Sequence, residues 1–129
     1  HISYVVTDRT RGSDPVAVFC GDTLFVGDVG RPDLFPGMAK KLASNLYESL
    51  HGKLLTLPHF CEVYPAHGAG SLCGRAMGAK RTSTIGYEMN YNSALRIKDE
   101  RKFIESLTTA MPPAPDHFTR LSAINRNDF

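Results

Sequence analysis

The sequence has little of what would place it in an extreme class. No charge of one sign dominates: 15 Lys and Arg face 13 Asp and Glu, a formal +2, so nothing marks it for nucleic acid or an anionic membrane. No stretch is apolar and long enough to span a bilayer, and there is no signal-peptide pattern. Only three cysteines occur, Cys20, Cys61 and Cys73, an odd number without close spacing. That argues against a disulfide scaffold or a zinc knuckle and for a reducing, cytoplasmic compartment. Internal repeats, low-complexity tracts, a Ser-His-Asp order, a P-loop and a dinucleotide fingerprint are all missing. What remains is 129 residues, 42% hydrophobic and 22% charged, which suffices for one domain with a modest core. The chain opens at His1 rather than Met and enters a strand pattern within two residues. A processed or tagged start accounts for this, and so does a piece of a longer protein.

The centre of the pattern is the stretch from Cys20 to Leu34. An apolar run, Val16 to Cys20, stops at Gly21-Asp22, and a second, Thr23 to Val26, breaks into a Gly- and Asp-rich loop. This predicts a buried strand that delivers one carboxylate to its end. Gly21, lacking a Cβ, lets another backbone or an ion approach closely, and Asp22 is a suitable hard-oxygen metal ligand.

Around that centre, Ile2 to Thr7 reads as a strand and Asp8 to Pro15 as a hairpin-type loop that returns into Val16. Thr23 to Val26 is expected to continue that strand briefly, and Asp28 to Gly37, with two prolines and two glycines, to be loop. Asp28 is expected there as a solvated charge. Met38, Leu42, Leu46 and Leu50 recur at four-residue spacing and predict a core-facing helix that ends at Gly52. Cys61 to Tyr64 reads as a strand ended by Pro65, followed by a small-residue loop carrying His67. Residues 75–92 are expected to be irregular with a helical turn or two, and Asp99 to Thr109 to be a helix.

Three clusters at predicted strand ends carry chemistry: Gly21-Asp22, Gly30-Arg31-Pro32-Asp33 and Pro65-Ala66-His67-Gly68. A carboxylate, an arginine and a histidine at one sheet edge can converge on a site. Arg31 offers a planar fork to a substrate carboxylate, with Asp33 orienting it; the same two residues could equally form an ion pair that only shapes the loop. His67 could serve a site or simply be a hydrogen-bonded structural histidine. Cys73, two residues from Arg75, could present a thiolate or be a small buried residue. Cys20 and Cys61 read as strand-core residues.

Taken together, Gly21-Asp22-Thr23-Leu24-Phe25, Gly30-Arg31-Pro32-Asp33-Leu34 and Tyr64-Pro65-Ala66-His67-Gly68 resemble the second half of a metallo-β-lactamase-fold protein. The closest likeness is to the persulfide dioxygenases of the bacterial, rhodanese-fused type. Glyoxalase II thioesterases are similar up to Gly30 but tend to carry Lys-Phe-Tyr where this chain has Arg31-Pro32-Asp33. The resemblance implies an α/β fold, the C-terminal half of a four-layer αβ/βα sandwich over residues 1–111, with 112–129 a tail or linker leading to a rhodanese domain. It implies one Fe(II) with Asp22 as a ligand, Arg31 and Asp33 on the substrate side, and His67 and Cys73 as catalytic-site groups. His67 would sit close to the iron without ligating it. The substrates would be glutathione persulfide or a related small thiol persulfide, and O2. A zinc hydrolase of glyoxalase II type is the alternative, with His67 as a metal ligand; a non-catalytic interaction module is a second.

The family's His-x-His-x-Asp-His motif is absent from this sequence. The missing N-terminal half of the fold, or a second copy of the chain, would then have to complete the site. A half-sheet is also expected to expose apolar surface.

Overall fold

The computed structural model describes residues 2–32, 37–67, 81–109 and 124. Strand β1 (Tyr4–Thr7) turns through the 8–14 segment into β2 (Pro15–Gly21), and the two pair antiparallel. A short hairpin follows, β3 (Leu24–Phe25) with β4 (Asp28–Val29). Then come helix α1 (Ala39–Gly52), a 3-10 turn at Leu54–Thr56 and strand β5 (Glu62–Pro65). Strand β6 (Ser83–Thr84) leads into α2 (Ile85–Tyr91), and α3 (Glu100–Thr109) closes the described part. The main sheet has the order β1-β2-β5-β6, with β2 and β5 parallel and both outer pairs antiparallel. The expected tail, 112–129, lies outside the described residues except for Ile124. No helix among the described residues is long and apolar enough to cross a membrane.

Alternation along the strands splits the sheet into two unlike faces. Val18 and Val63, directly paired on β2 and β5, are fully buried against Ala43 and Leu50 of α1 and Phe103 and Leu107 of α3. The row one residue further on faces the other way: Tyr4 pairs with Phe19 and Phe19 with Tyr64. Tyr4 and Phe19 are 67% and 48% exposed, and the Phe19 and Tyr64 rings stack with centroids 5.1 Å apart. The apolar surface expected of a half-sheet is therefore present on this face.

Three local expectations need correction. Thr23 to Val26 does not continue β2. Gly21 adopts φ 56° and the Thr23 amide donates to the Cys20 carbonyl, so the chain turns away and starts a new hairpin. Asp28 is not a solvated loop charge: it lies in β4 opposite Phe25 and is buried. Gly27, at φ 86°, makes the two-residue reversal that brings it there, a backbone state glycine adopts without steric cost. The α1 stripe is rotated from the expected one, since Leu50 and Ala43 are buried while Met38 is exposed. Within 81–92 the expected helical turn or two is α2, preceded by the short strand β6. Thr84 caps that helix, accepting from the Tyr87 amide at 3.1 Å, whereas residues 75–80 lie outside the described residues. The α3 expectation holds, with Asp99 accepting from the Lys102 amide at its start.

His51, in the last turn of α1, packs between Tyr47 and Phe103 with ring centroids at 4.5 and 6.3 Å. Its Nε2 is buried with no hydrogen-bond partner among the described residues. Burial first, and the Lys98 charge second, lower its pKa below the usual histidine value of 6.5. The folded state thus prefers the neutral ring. This contribution is complete above the unfolded-state pKa and is lost as pH falls through the lower folded-state value. Wild-type stability is expected to fall more steeply below pH ~6.5 than that of His51→Gln. Urea unfolding midpoints from pH 8 to pH 5 (roughly the range over which a histidine titrates) check this. Equal slopes for the two proteins would refute it.

Candidate functional site

Parallel β2 and β5 end side by side, and open parallel strands present their binding groups from the loops at their carboxyl ends. Gly21 pairs with Pro65, and the Ala66 amide donates to the Gly21 carbonyl at 2.9 Å. The next residues on each strand, Asp22 and His67, are therefore delivered to one place. Asp22 Oδ1 and His67 Nδ1 are 2.7 Å apart. The side chains are 38% and 43% exposed, although the Asp22 Oδ1 atom is itself buried. Phe25 walls one side, its ring centroid 6.1 Å from that of His67. Such a pair can share a proton, or can turn a carboxylate oxygen and an imidazole nitrogen on one cation.

The β3–β4 hairpin folds back onto the same place. The Gly30 amide donates to the Thr23 carbonyl at 3.0 Å. A Cβ on Gly30 would stand 2.1 Å from the Asp22 carbonyl oxygen, so the close approach requires glycine. Arg31 is the next residue, half-buried, followed by buried Pro32. The structure thus brings Asp22 and His67 together and starts the Arg31 segment against the Asp22 backbone. Asp33 and Cys73 lie outside the described residues.

As a metal site the two donors are chemically apt but incomplete. Asp22 supplies a hard oxygen and His67 an imidazole nitrogen, the kinds of donor that iron or zinc accept. Among the described residues no three His, Cys, Asp or Glu side chains come together, so any further ligand has to come from elsewhere. Cys20 does not help. Its thiol donates to the Leu24 carbonyl at 3.2 Å, and burial pushes its pKa up to about 11, so it stays protonated in the core as expected of a strand residue. Burial likewise raises the Cys61 thiol, with the Glu62 charge adding to the effect.

One cluster escaped the sequence reading. Glu88, on α2, is 1% exposed and its carboxylate accepts from the Gly27 amide at 2.7 Å, from Ser83 Oγ at 2.5 Å and from Asn92 Nδ2 at 3.0 Å. Asn92 Nδ2 also donates to the Asp28 carbonyl at 3.1 Å. The available signal was Ile85, Glu88 and Asn92 at helical spacing on one face, two of them polar.

No family model matches the chain. It is 34% identical over 114 residues to "Persulfide dioxygenase ETHE1, mitochondrial" of Mus musculus, covering 88% of this chain and 37% of that protein. A shorter match, 37% identical over 67 residues and 52% of this chain, is to a hydroxyacylglutathione hydrolase of Synechococcus sp., of which it covers 23%. Among solved structures, a metallo-beta-lactamase from Staphylococcus aureus superposes with a TM-score of 0.79 at 38% identity, covering 95% of this chain and 35% of that one. ETHE1 from Myxococcus xanthus gives 0.65 at 31% identity, covering 85% and 44%. The chain spans just over a third of the length of the persulfide dioxygenase it matches. It carries part of a metallo-β-lactamase fold and is homologous to the ETHE1 persulfide dioxygenases.

Proposed function

We propose that this chain is part of an iron-dependent persulfide dioxygenase that acts on glutathione persulfide or a related small thiol persulfide. The observation that carries the reading is the 2.7 Å approach of Asp22 and His67 at the carboxyl ends of two parallel strands, in a chain homologous to persulfide dioxygenases. In the overall reaction a persulfide R–S–SH, O2 and water give the thiol R–SH, sulfite and two protons. The terminal sulfur gains both oxygens of O2 and one from water, the S–S bond breaks, and the inner sulfur leaves as thiol. Bound Fe(II) would supply open positions where O2 and the persulfide meet.

The residues of this chain do the rest. Asp22 holds the metal through its carboxylate. His67, through Nδ1, orients that carboxylate and holds a proton beside it. Arg31 binds a carboxylate of the glutathione part as a planar fork, Asp33 orients Arg31, and Cys73 is a further catalytic-site group. The remaining ligands belong to the N-terminal half of the fold or to a second copy of the chain. A cytoplasmic location and a following rhodanese domain accord with this reading.

A zinc thioesterase of glyoxalase II type is the second reading, favoured by the hydroxyacylglutathione hydrolase match. It makes His67 a ligand. Metal analysis of the full-length protein, with parallel assays, separates the two. About one iron per chain, with O2 consumed and sulfite formed from glutathione persulfide, is the expected result. Two zincs per chain with hydrolysis of a glutathione thioester would overturn it in favour of the hydrolase. Neither metal nor turnover would leave an interaction module.

A further inference from the structure

The buried Glu88 cluster lies outside the metal site, yet it grips the segment that connects Asp22 to Arg31. Burying a carboxylate is costly unless every oxygen is satisfied. Here three donors from three places converge on it: the Gly27 amide at the hairpin turn, Ser83 of β6 and Asn92 just past the end of α2. Asn92 adds a second hold on the hairpin through the Asp28 carbonyl, while its own Oδ1 accepts from the Ala94 amide at 3.1 Å. Such fully connected buried networks rigidify what they touch.

The two site groups are anchored differently. Asp22 follows a strand held on both sides in the main sheet, and the Ala66–Gly21 hydrogen bond fixes its base. Arg31 leaves from the β3–β4 hairpin, whose pairing is only two residues long. That hairpin is tied at its inner end by Gly30 to Thr23 and at its turn by Glu88 and Asn92. Leu24 and Val29 are also packed in the core, and the Cys20 thiol donates to the Leu24 carbonyl, so releasing the turn frees the polar holds on Gly27 and Asp28 and leaves the apolar ones. Asp22 precedes the hairpin, whereas β4 runs through Gly30 directly into Arg31, so a shift of β4 is passed to Arg31.

We infer that Glu88, supported by Asn92, is a positioning residue that fixes where Arg31 stands relative to Asp22, and thereby sets the affinity for the carboxylate-bearing part of the substrate. This rests on the persulfide dioxygenase reading, in which Arg31 binds that part. Glu88 touches no reacting atom. Its influence is on binding geometry, so it is expected in KM rather than in kcat.

The test uses the full-length iron-loaded protein and four variants. Glu88→Ala is expected to raise KM for glutathione persulfide roughly tenfold with kcat within about twofold and iron content unchanged. Glu88→Gln keeps the shape and an oxygen for Gly27, while Ser83 can rotate to accept from the new amide, so it is expected to restore most of the affinity. Ser83→Ala removes the one bond of the network that does not touch the hairpin or Asn92, and is expected to raise KM by less than Glu88→Ala does. Should Glu88→Ala fail to fold, Asn92→Ala takes its place with the same expected rise. Binding of S-methylglutathione, an unreactive analogue with the same carboxylates, is measured by calorimetry alongside.

Equal KM and Kd for wild type and the Ala variants, in a protein that does oxidise the persulfide, would overturn the inference and leave the reading standing. So would a loss of kcat and iron in parallel for Glu88→Ala and Ser83→Ala, the mark of a merely structural role. A wild type that binds the analogue without oxidising the persulfide overturns the reaction, and the Kd comparison then decides the inference alone. A wild type that does neither overturns both.

Discussion

Asp22→Ala in the full-length protein is expected to abolish stoichiometric iron binding and to lower persulfide turnover below about one-hundredth of wild type. Outer partners of metal ligands already cost roughly 10–100-fold when removed, and a ligating carboxylate removes both a bond and a charge. His67→Ala provides the contrast. On the dioxygenase reading His67 orients the carboxylate from 2.7 Å away, so its loss reduces activity by about 10–100-fold while most of the iron is retained. On the hydrolase reading the same change removes a metal ligand. Metal per chain, measured on both variants against wild type, separates these outcomes. Full iron occupancy in Asp22→Ala would sink the ligand assignment.

The second large effect concerns a residue with no side chain. In Gly30→Ala the new methyl would lie 2.1 Å from the Asp22 carbonyl oxygen and 3.3 Å from its carbon. Both are backbone atoms, so no rotamer change relieves the overlap. Either the Asp22 backbone shifts, or the hairpin opens and loses the hydrogen bond from Gly30 to Thr23. Overpacking of this kind costs about 1–3 kcal/mol, occasionally more, and a displacement of about 1 Å at a site can cost roughly 100-fold in rate. Gly12→Ala and Gly52→Ala are the controls, since an added Cβ meets nothing within 4 Å at either place. The expected outcome is lower iron content and a lower urea midpoint for Gly30→Ala alone. Wild-type values for both would mean that the approach of Gly30 to Asp22 is looser than the structure has it.

How much of this was legible beforehand depended on where each residue's partners lie. Helix α1 was readable because Leu46, Leu50 and the stop at Gly52 are a local pattern, although its period did not reveal that Met38 stays outside the core. Strands β2 and β5 were readable because Val16 to Cys20 and Cys61 to Tyr64 are apolar runs bounded by Gly and Pro. Once those two strands are placed parallel, Asp22 and His67 must emerge together. Neither the parallel pairing nor the 2.7 Å separation can be computed from spacing, since the two residues are 45 positions apart on a loop-and-helix path. The β3–β4 hairpin was misread because Asp28 counts as a surface residue until its setting, Phe25 across the hairpin and Asn92 from α2, is known. Helix α2 was legible only as a turn or two for the complementary reason. Its buried residues are Ile85 and Glu88, with Asn92 just past its end, and a hydrophobic period registers weakly on so polar a face.

The Glu88 clamp also dictates an order of events during synthesis. Gly27 and the Glu88 that accepts its amide are 61 residues apart, and Asp28 and Asn92 are 64 apart. At a translation rate of roughly 5–20 residues per second, the turn waits about 3–13 s for its partners to be made. During that interval β2 and the hairpin exist as chain, but the Gly27 amide and the Asp28 carbonyl have no buried partners to close on. The turn therefore closes only after α1 and β5 are available, and α3, whose Phe103 and Leu107 complete the cover of the inner face, follows it. A pause or truncation before residue 92 would yield a chain with an unset hairpin and without the core residues Ala94, Leu95, Phe103 and Leu107, a species for quality control.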